Sequence, residues 1–200
     1  MSHDKLFQTF LDLLAAFAPG YYRLGGTRND LMFFDENSKI ALKEQKCSRN
    51  TRTGNIFDGS PTPFKPVHLT KDEFYSISNG VQCAGLQFIF GLNLNNRDSN
   101  NIWRTENTEH LLDFVQAYDI NVNFELGNEP NSWMAKFGKK INPFEQKTDM
   151  VILKELLEKR QLKSRIFGPD STGRKQWALD YLTEFVQFEV SKPVAGIILV

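Results

Sequence analysis

Asn128 and Glu129 set an amide beside a carboxylate. They follow a run in which Val122, Phe124 and Leu126 alternate with Asn121, Asn123 and Glu125, the period of a β-strand. Gly127 then permits a turn, and Pro130 stops the strand from continuing. A carboxyl group at the carboxyl end of a strand can give and recover a proton at a substrate, with the amide orienting that substrate. In an α/β barrel, catalytic side chains gather at that end. Taken alone, Asn-Glu-Pro reads equally as an ordinary turn. Other routes to chemistry are poorly supplied. The three histidines and two cysteines include no Cys-x-x-Cys pair, which argues against a dedicated zinc site. Gly25-Gly26 lacks the G-x-G-x-x-G spacing of a dinucleotide site. The formal charge is +0, so no global field favours nucleic acid or an anionic membrane. No stretch approaches the ~20 apolar residues of a membrane span.

Asn128 and Glu129 need a scaffold, and 40% hydrophobic content over 200 residues is enough to bury one. Leu6, Phe7, Phe10, Leu11, Leu14 and Phe17 fall on one helical face that ends before Pro19-Gly20. A short strand over 21–24 carries Arg23, which reads as a buried partner for Glu125 in preference to a catalytic cation. Residues 35–70 are irregular and punctuated by Pro61, Pro63 and Pro66. Thr70 and Glu73 form a capping box that opens a helix burying Phe74, Ile77 and Val81. Residues 86–92 are nearly all apolar, as in a parallel strand covered on both faces. An Asn-rich loop over 93–101 leads to a helix turning Leu111, Leu112, Phe114, Val115 and Tyr118 inward. A basic loop over 136–147 precedes a helix burying Met150, Leu153, Leu156 and Leu157, with Glu155–Lys159 as its i,i+4 pair. A strand over 165–168 runs into Pro169-Asp170. A helix carrying Trp177, Tyr181, Phe185 and Phe188 follows, and 194–200 begins another buried strand. This alternation assembles most economically as parallel βα units.

The strings YYRLGGTRNDLMFF and FELGNEPNSW together resemble the heparanases, the family 79 glycoside hydrolases that cleave heparan sulfate at glucuronic acid linkages by a retaining mechanism. The resemblance implies an α/β fold: a partial (β/α)8 TIM barrel, roughly strands 2 to 6, without the first strand, the last strands or the C-terminal β-sandwich. Residues 1–200 would then be a fragment of one catalytic domain, with an irregular insertion at about 35–70. It also implies roles. Glu129 matches the proton donor, the general acid/base. Asn128 matches a residue that hydrogen-bonds the sugar, and Thr27 and Arg28 match positions lining the cleft. Cys47 and Cys83 have counterparts in the family, and either a disulfide or two buried thiols fits them. The family's nucleophile would come from a strand beyond Val200, so neither Glu125 nor Asp170 is given that role.

The partner implied is a glucuronic acid-containing polysaccharide of the heparan sulfate type, with no cofactor, no metal and no nucleic acid. The location implied is extracellular or lysosomal, with peripheral membrane association through proteoglycans. Asp4 and Asp12 interrupt the N-terminal apolar run, which does not read as a signal peptide. Two functions follow. One is a heparanase-like endo-β-glucuronidase of which this chain carries the acid/base half. The other is a catalytically inactive truncated homologue acting as a binding or non-functional isoform.

Overall fold

Apolar runs bounded by helix caps and glycine turns build a parallel sheet. The computed structural model describes residues 9, 12–40, 65–172, 176–187 and 196–199. In it β1 (Tyr21–Leu24), β4 (Gln87–Leu92), β5 (Asn123–Leu126), β6 (Ile166–Ser171) and β7 (Gly196–Leu199) lie side by side in that order, each neighbouring pair parallel. Between them run α2 (Lys71–Cys83), α3 (Glu106–Ala117), α4 (Trp133–Phe137), α5 (Pro143–Lys159) and α6 (Gln176–Gln187). A short helical stretch, α1, occupies 12–15. The fold is α/β, a partial (β/α)8 barrel, as expected.

Register gives the sheet two different faces. Leu24, Phe90, Phe124 and Ile166 align across four strands. All four are buried, in one core with Phe74 of α2 and Leu111, Phe114 and Val115 of α3. Phe74 is fully buried and meets Phe90 edge-on at 5.1 Å. The opposite face carries Arg23, Ile89, Gly91, Asn123 and Glu125, because successive side chains alternate sides. The polar positions of β5 are not solvated: Asn123 and Glu125 are as buried as Phe124 and Leu126. Two of the helices open with a capping box. Thr70 and Glu73 exchange hydrogen bonds at the start of α2, and Asn142 and Glu145 do so at the start of α5, where Pro143 occupies a position that needs no N–H.

Several expectations are corrected. The irregular 35–70 stretch is bracketed by a separate parallel pair, β2 (Met32–Asp35) and β3 (Val67–Thr70), in register from Met32↔Val67 to Asp35↔Thr70. Four residues are too few to show a period. The basic loop at 136–147 is largely helical: α4 ends at Phe137 and α5 begins at Pro143. Lys147 is buried within α5, donating to the Phe185 carbonyl at 3.0 Å and lying over that ring. The i,i+4 ion pair on α5 is Lys154–Glu158 at 3.6 Å rather than Glu155–Lys159. Phe17, Tyr118 and Trp177 face solvent, whereas Tyr181 and Phe185 of α6 are buried as expected, with Ala178 beside them. Leu6, Phe7, Phe10, Leu11, Cys47 and Phe188 lie outside the described residues. Among the described residues no helix is long and apolar enough to cross a membrane, and no group of three or more His, Cys, Asp or Glu side chains could hold a metal ion.

Candidate active site

Arg23 leaves β1 and reaches across β4 to Glu125 on β5. Two glycines clear its path. A Cβ on Gly25 would stand 2.5 Å from both the Arg23 Cζ and a Glu125 oxygen, and one on Gly91 would stand 3.1 Å from that oxygen. Arg23 Nε and a terminal nitrogen donate to the two Glu125 oxygens at 2.6 and 2.7 Å, the bidentate fork that guanidinium geometry favours. The same terminal nitrogen donates to Asn128 Oδ1 at 3.1 Å and to Asp170 Oδ2. Asp170 arrives because β6 does not stop at Gly168. Pro169 has no N–H for the ladder, the register slips between Phe167 and Asp170, and the strand runs on to Ser171.

Burial dominates the electrostatics here. It pushes Glu125 up to about 7, against the opposing pull of Arg23 and with help from the Asp170 charge. Burial also raises Asp170, against Arg23 and with repulsion from Glu129 added. Asp30 is raised well above the usual carboxylate range by its burial, although backbone N–H groups of Asn128 and Leu94 oppose the shift. Arg23 is also partly desolvated, and the Glu125 and Asp170 carboxylates outweigh that and raise it.

The Asn128–Glu129 turn is tied down on every side. Gly127 adopts φ +80°, and a Cβ there would stand 2.5 Å from a Leu94 methyl, so both the conformation and the space require glycine. The Asn128 N–H donates to the two Asp30 oxygens at 3.1 and 3.3 Å, and its carbonyl accepts from the buried Trp133 indole at 2.9 Å. Glu129 takes the left-handed conformation, φ 45° and ψ 54°, which is uncommon outside glycine and clusters at functional sites. Its carbonyl accepts from Ser132 N–H and Oγ at 2.8 and 3.0 Å. Its side chain stays 23% exposed and pairs with Lys136 of α4. A carboxyl group held on a fixed backbone but open to solvent can pass protons to a bound molecule.

Asn128 and Glu129 therefore converge with Arg23, Asp30, Glu125, Lys136 and Asp170. Thr27 and Arg28 stay on the adjoining loop after β1, Thr27 half-buried and Arg28 exposed. That loop is stitched to the site by the 3-10 turn Asn29–Leu31. Asn29 Nδ2 donates to the Leu24 and Gly91 carbonyls, at 3.2 and 2.9 Å, and Asp30 receives Asn128. Cys83 is remote from the site, closing α2 where the chain enters the amino end of β4. Sequence reasoning passed over Asp30 and Lys136. Asp30 lies within the GGTRND string, but nothing in a sequence reveals which N–H groups a buried carboxylate will meet. Lys136 falls at the start of what reads as a basic loop, with nothing to single it out. Among the described residues, two buried side-chain oxygens have no partner, Asp170 Oδ1 and Asn131 Oδ1. Both are beside the Glu129 turn: Asn131 follows Pro130 and donates to Ser171 Oγ at 2.5 Å.

Residues 1–195 match the model of the Glycosyl hydrolase family 79, N-terminal domain. Among curated proteins the chain is 27% identical to bovine (Bos taurus) heparanase, covering 94% of this chain and 40% of that protein. It is 34% identical to human (Homo sapiens) inactive heparanase-2, covering 79% and 34%. To the hyaluronoglucuronidase of Hirudo nipponia it is 29% identical, covering 85% and 36%. The chain thus spans about two-fifths of the length of the curated relatives it matches. In fold it is similar to a Paenibacillus polymyxa xyloglucanase of glycoside hydrolase family 44, with TM-score 0.50 and 16% identity over 83% of this chain and 42% of that one.

Proposed function

Because the chain belongs to glycosyl hydrolase family 79, we propose that it carries the acid/base half of a heparanase-like retaining glycosidase acting on glucuronic acid linkages in heparan sulfate-type polysaccharides. One observation carries the reading. Glu129 is the partly exposed carboxyl group at the carboxyl end of β5, on a left-handed backbone fixed by Asn128, Asp30 and Trp133. In the mechanism, Glu129 protonates the leaving glycosidic oxygen and then, as a base, draws a proton from the incoming water. Asn128 hydrogen-bonds the sugar, while Thr27 and Arg28 line the cleft from the β1 loop. Retention needs a second carboxylate about 5–5.5 Å from the first as nucleophile. Glu125 and Asp170 are buried and committed to Arg23, so the reading draws the nucleophile from a strand other than these five. The disulfide pairs Cys47 with Cys83, and the active protein works outside the cytosol, on matrix or lysosomal polysaccharide. The 1–200 span is one catalytic-domain portion, with its insertion between β2 and β3.

A second reading has support of its own: the 34% identity to a protein named inactive heparanase-2 favours a non-catalytic member. One experiment separates the two. The chain is joined to the remaining strands of a family 79 barrel, and pH–rate profiles are taken on polysaccharide and on an aryl glucuronide. Glu129→Gln is expected to lower polysaccharide turnover by about 10²–10⁴-fold, the typical worth of general acid/base assistance. The loss on the aryl substrate, whose good leaving group needs little protonation, is smaller. An unchanged polysaccharide profile removes Glu129 from the mechanism, and no turnover by the parent supports the non-catalytic reading.

A further inference from the structure

Four acids and two cations meet around the Asn128–Glu129 turn: Asp30, Glu125, Glu129 and Asp170 with Arg23 and Lys136. The two cations are not equivalent. Arg23 engages Glu125, Asn128 and Asp170 through Nε and one terminal nitrogen. Both of its acid partners are buried, so the charge it balances is interior. Lys136 sits on the short helix after the turn, its side chain 21% exposed, and its ammonium bonds Glu129 at the opening of the site. An ammonium has three donors, so the Glu129 bond leaves it capacity for another acceptor.

Charge balance then constrains the ligand. To act as an acid, Glu129 must be neutral, and a neutral carboxyl group no longer compensates Lys136. At that moment Lys136 is left without the charged partner it bonds. We propose that an anionic substituent of the bound sugar supplies it: Lys136 passes from Glu129 to a carboxylate or sulfate on the leaving-group side of the cleaved bond as Glu129 takes up its proton. Lys136 is thus a specificity-determining residue that admits acidic glycans and disfavours neutral ones. This inference rests on the proposed glycosidase reading and deepens it.

The test is binding to the chain itself, by calorimetry, with tetrasaccharides of alternating glucuronic acid and glucosamine. Three probes are used: N-sulfated, N-acetylated, and N-acetylated with the carboxyl groups reduced to alcohols. The parent is expected to prefer an anionic probe over the reduced one by about two- to fivefold, the scale of one partly exposed ion pair. Lys136→Met should remove that preference while leaving the reduced probe's affinity unchanged, and Lys136→Arg should keep it. A loss confined to the N-sulfated probe identifies sulfate as the group held, and a loss on the N-acetylated probe identifies the carboxylate. Lys136→Met that retains the full preference, with its thermal midpoint unchanged, overturns the inference and leaves the glycosidase reading standing. A parent that binds none of the probes overturns the inference, while the glycosidase reading stands or falls on the turnover of the joined barrel.

Discussion

At the carboxyl end of the sheet Arg23 is enclosed by carboxylates, whereas at the amino end Arg165 lies exposed over two aromatic rings. Arg165 stands 5.7 Å from the Tyr21 ring centre and 5.6 Å from that of Phe167, and donates to the Tyr21 hydroxyl and Gln87 at 2.8 and 2.5 Å. Its partners are neutral, so they are content without it. Those of Arg23 are two buried acids that burial already strains. The same residue type therefore clips strand starts together at one end and sustains a charged cluster at the other. In barrels of this class the first end serves stability and the second serves function.

The sharpest way to break this comparison is Arg23→Met. It abandons Glu125 and Asp170 inside the protein, and losing one member of a buried ion pair costs about 3–5 kcal/mol. Urea unfolding measures it. A loss under about 1 kcal/mol would mean that the acids are indifferent to their partner and the two ends are alike.

A smaller effect follows from pH. Glu125 is raised in the folded chain to about 7 from its ordinary 4.5, so the folded form holds a proton that the unfolded form releases. Stability from this group is full below about 4.5 and falls as pH rises towards 7. Asp30 and Asp170, also raised, act in the same direction. The expected drop in unfolding free energy between pH 5 and 7.5 from Glu125 is on the order of 2–3 kcal/mol, and Glu125→Gln should remove that share, leaving the part due to Asp30 and Asp170. A flat profile in the parent would show that Arg23 outweighs burial.

The smallest change is expected at the other end. Arg165→Met gives up an exposed cation–π contact, worth about 0.5–1 kcal/mol, with no new pH dependence. A loss as large as that for Arg23 would erase the distinction.

The strands were legible where a run of apolar residues was long or a glycine turn closed it. β1, β4 and β5 fall where alternation and Gly127 put them, and the Arg23–Glu125 pair follows from two opposite charges in otherwise buried strands. β2 and β3 were not legible, because pairing between residues so far apart in the chain leaves no local period. Lys147 misled for a related reason. A lysine one turn into a helix reads as a wet charge until a carbonyl from another helix, here Phe185, is known to receive it. At the site, Asn128 and Glu129 were visible as a chemical pair. What holds them comes from other strands: Asp30 after β1, Asp170 beyond a slipped proline, and Trp133 folded back under its own turn. Their roles exist only once the sheet has formed.

The β2–β3 pair bears on how this protein can vary in length. The chain leaves from Asp35 and re-enters at Val67, and the two points are bound in one parallel ladder, with Ser38 Oγ bridging the Asp35 carbonyl and the Lys71 N–H at 2.6 and 2.9 Å. The ends of the excursion are thereby fixed whatever lies between them. Doubling such a connection adds only about 0.6 kcal/mol of closure entropy. A change of length between these two points does not displace Asp30 or the turn that it holds, so the excursion is mechanically insulated from the site.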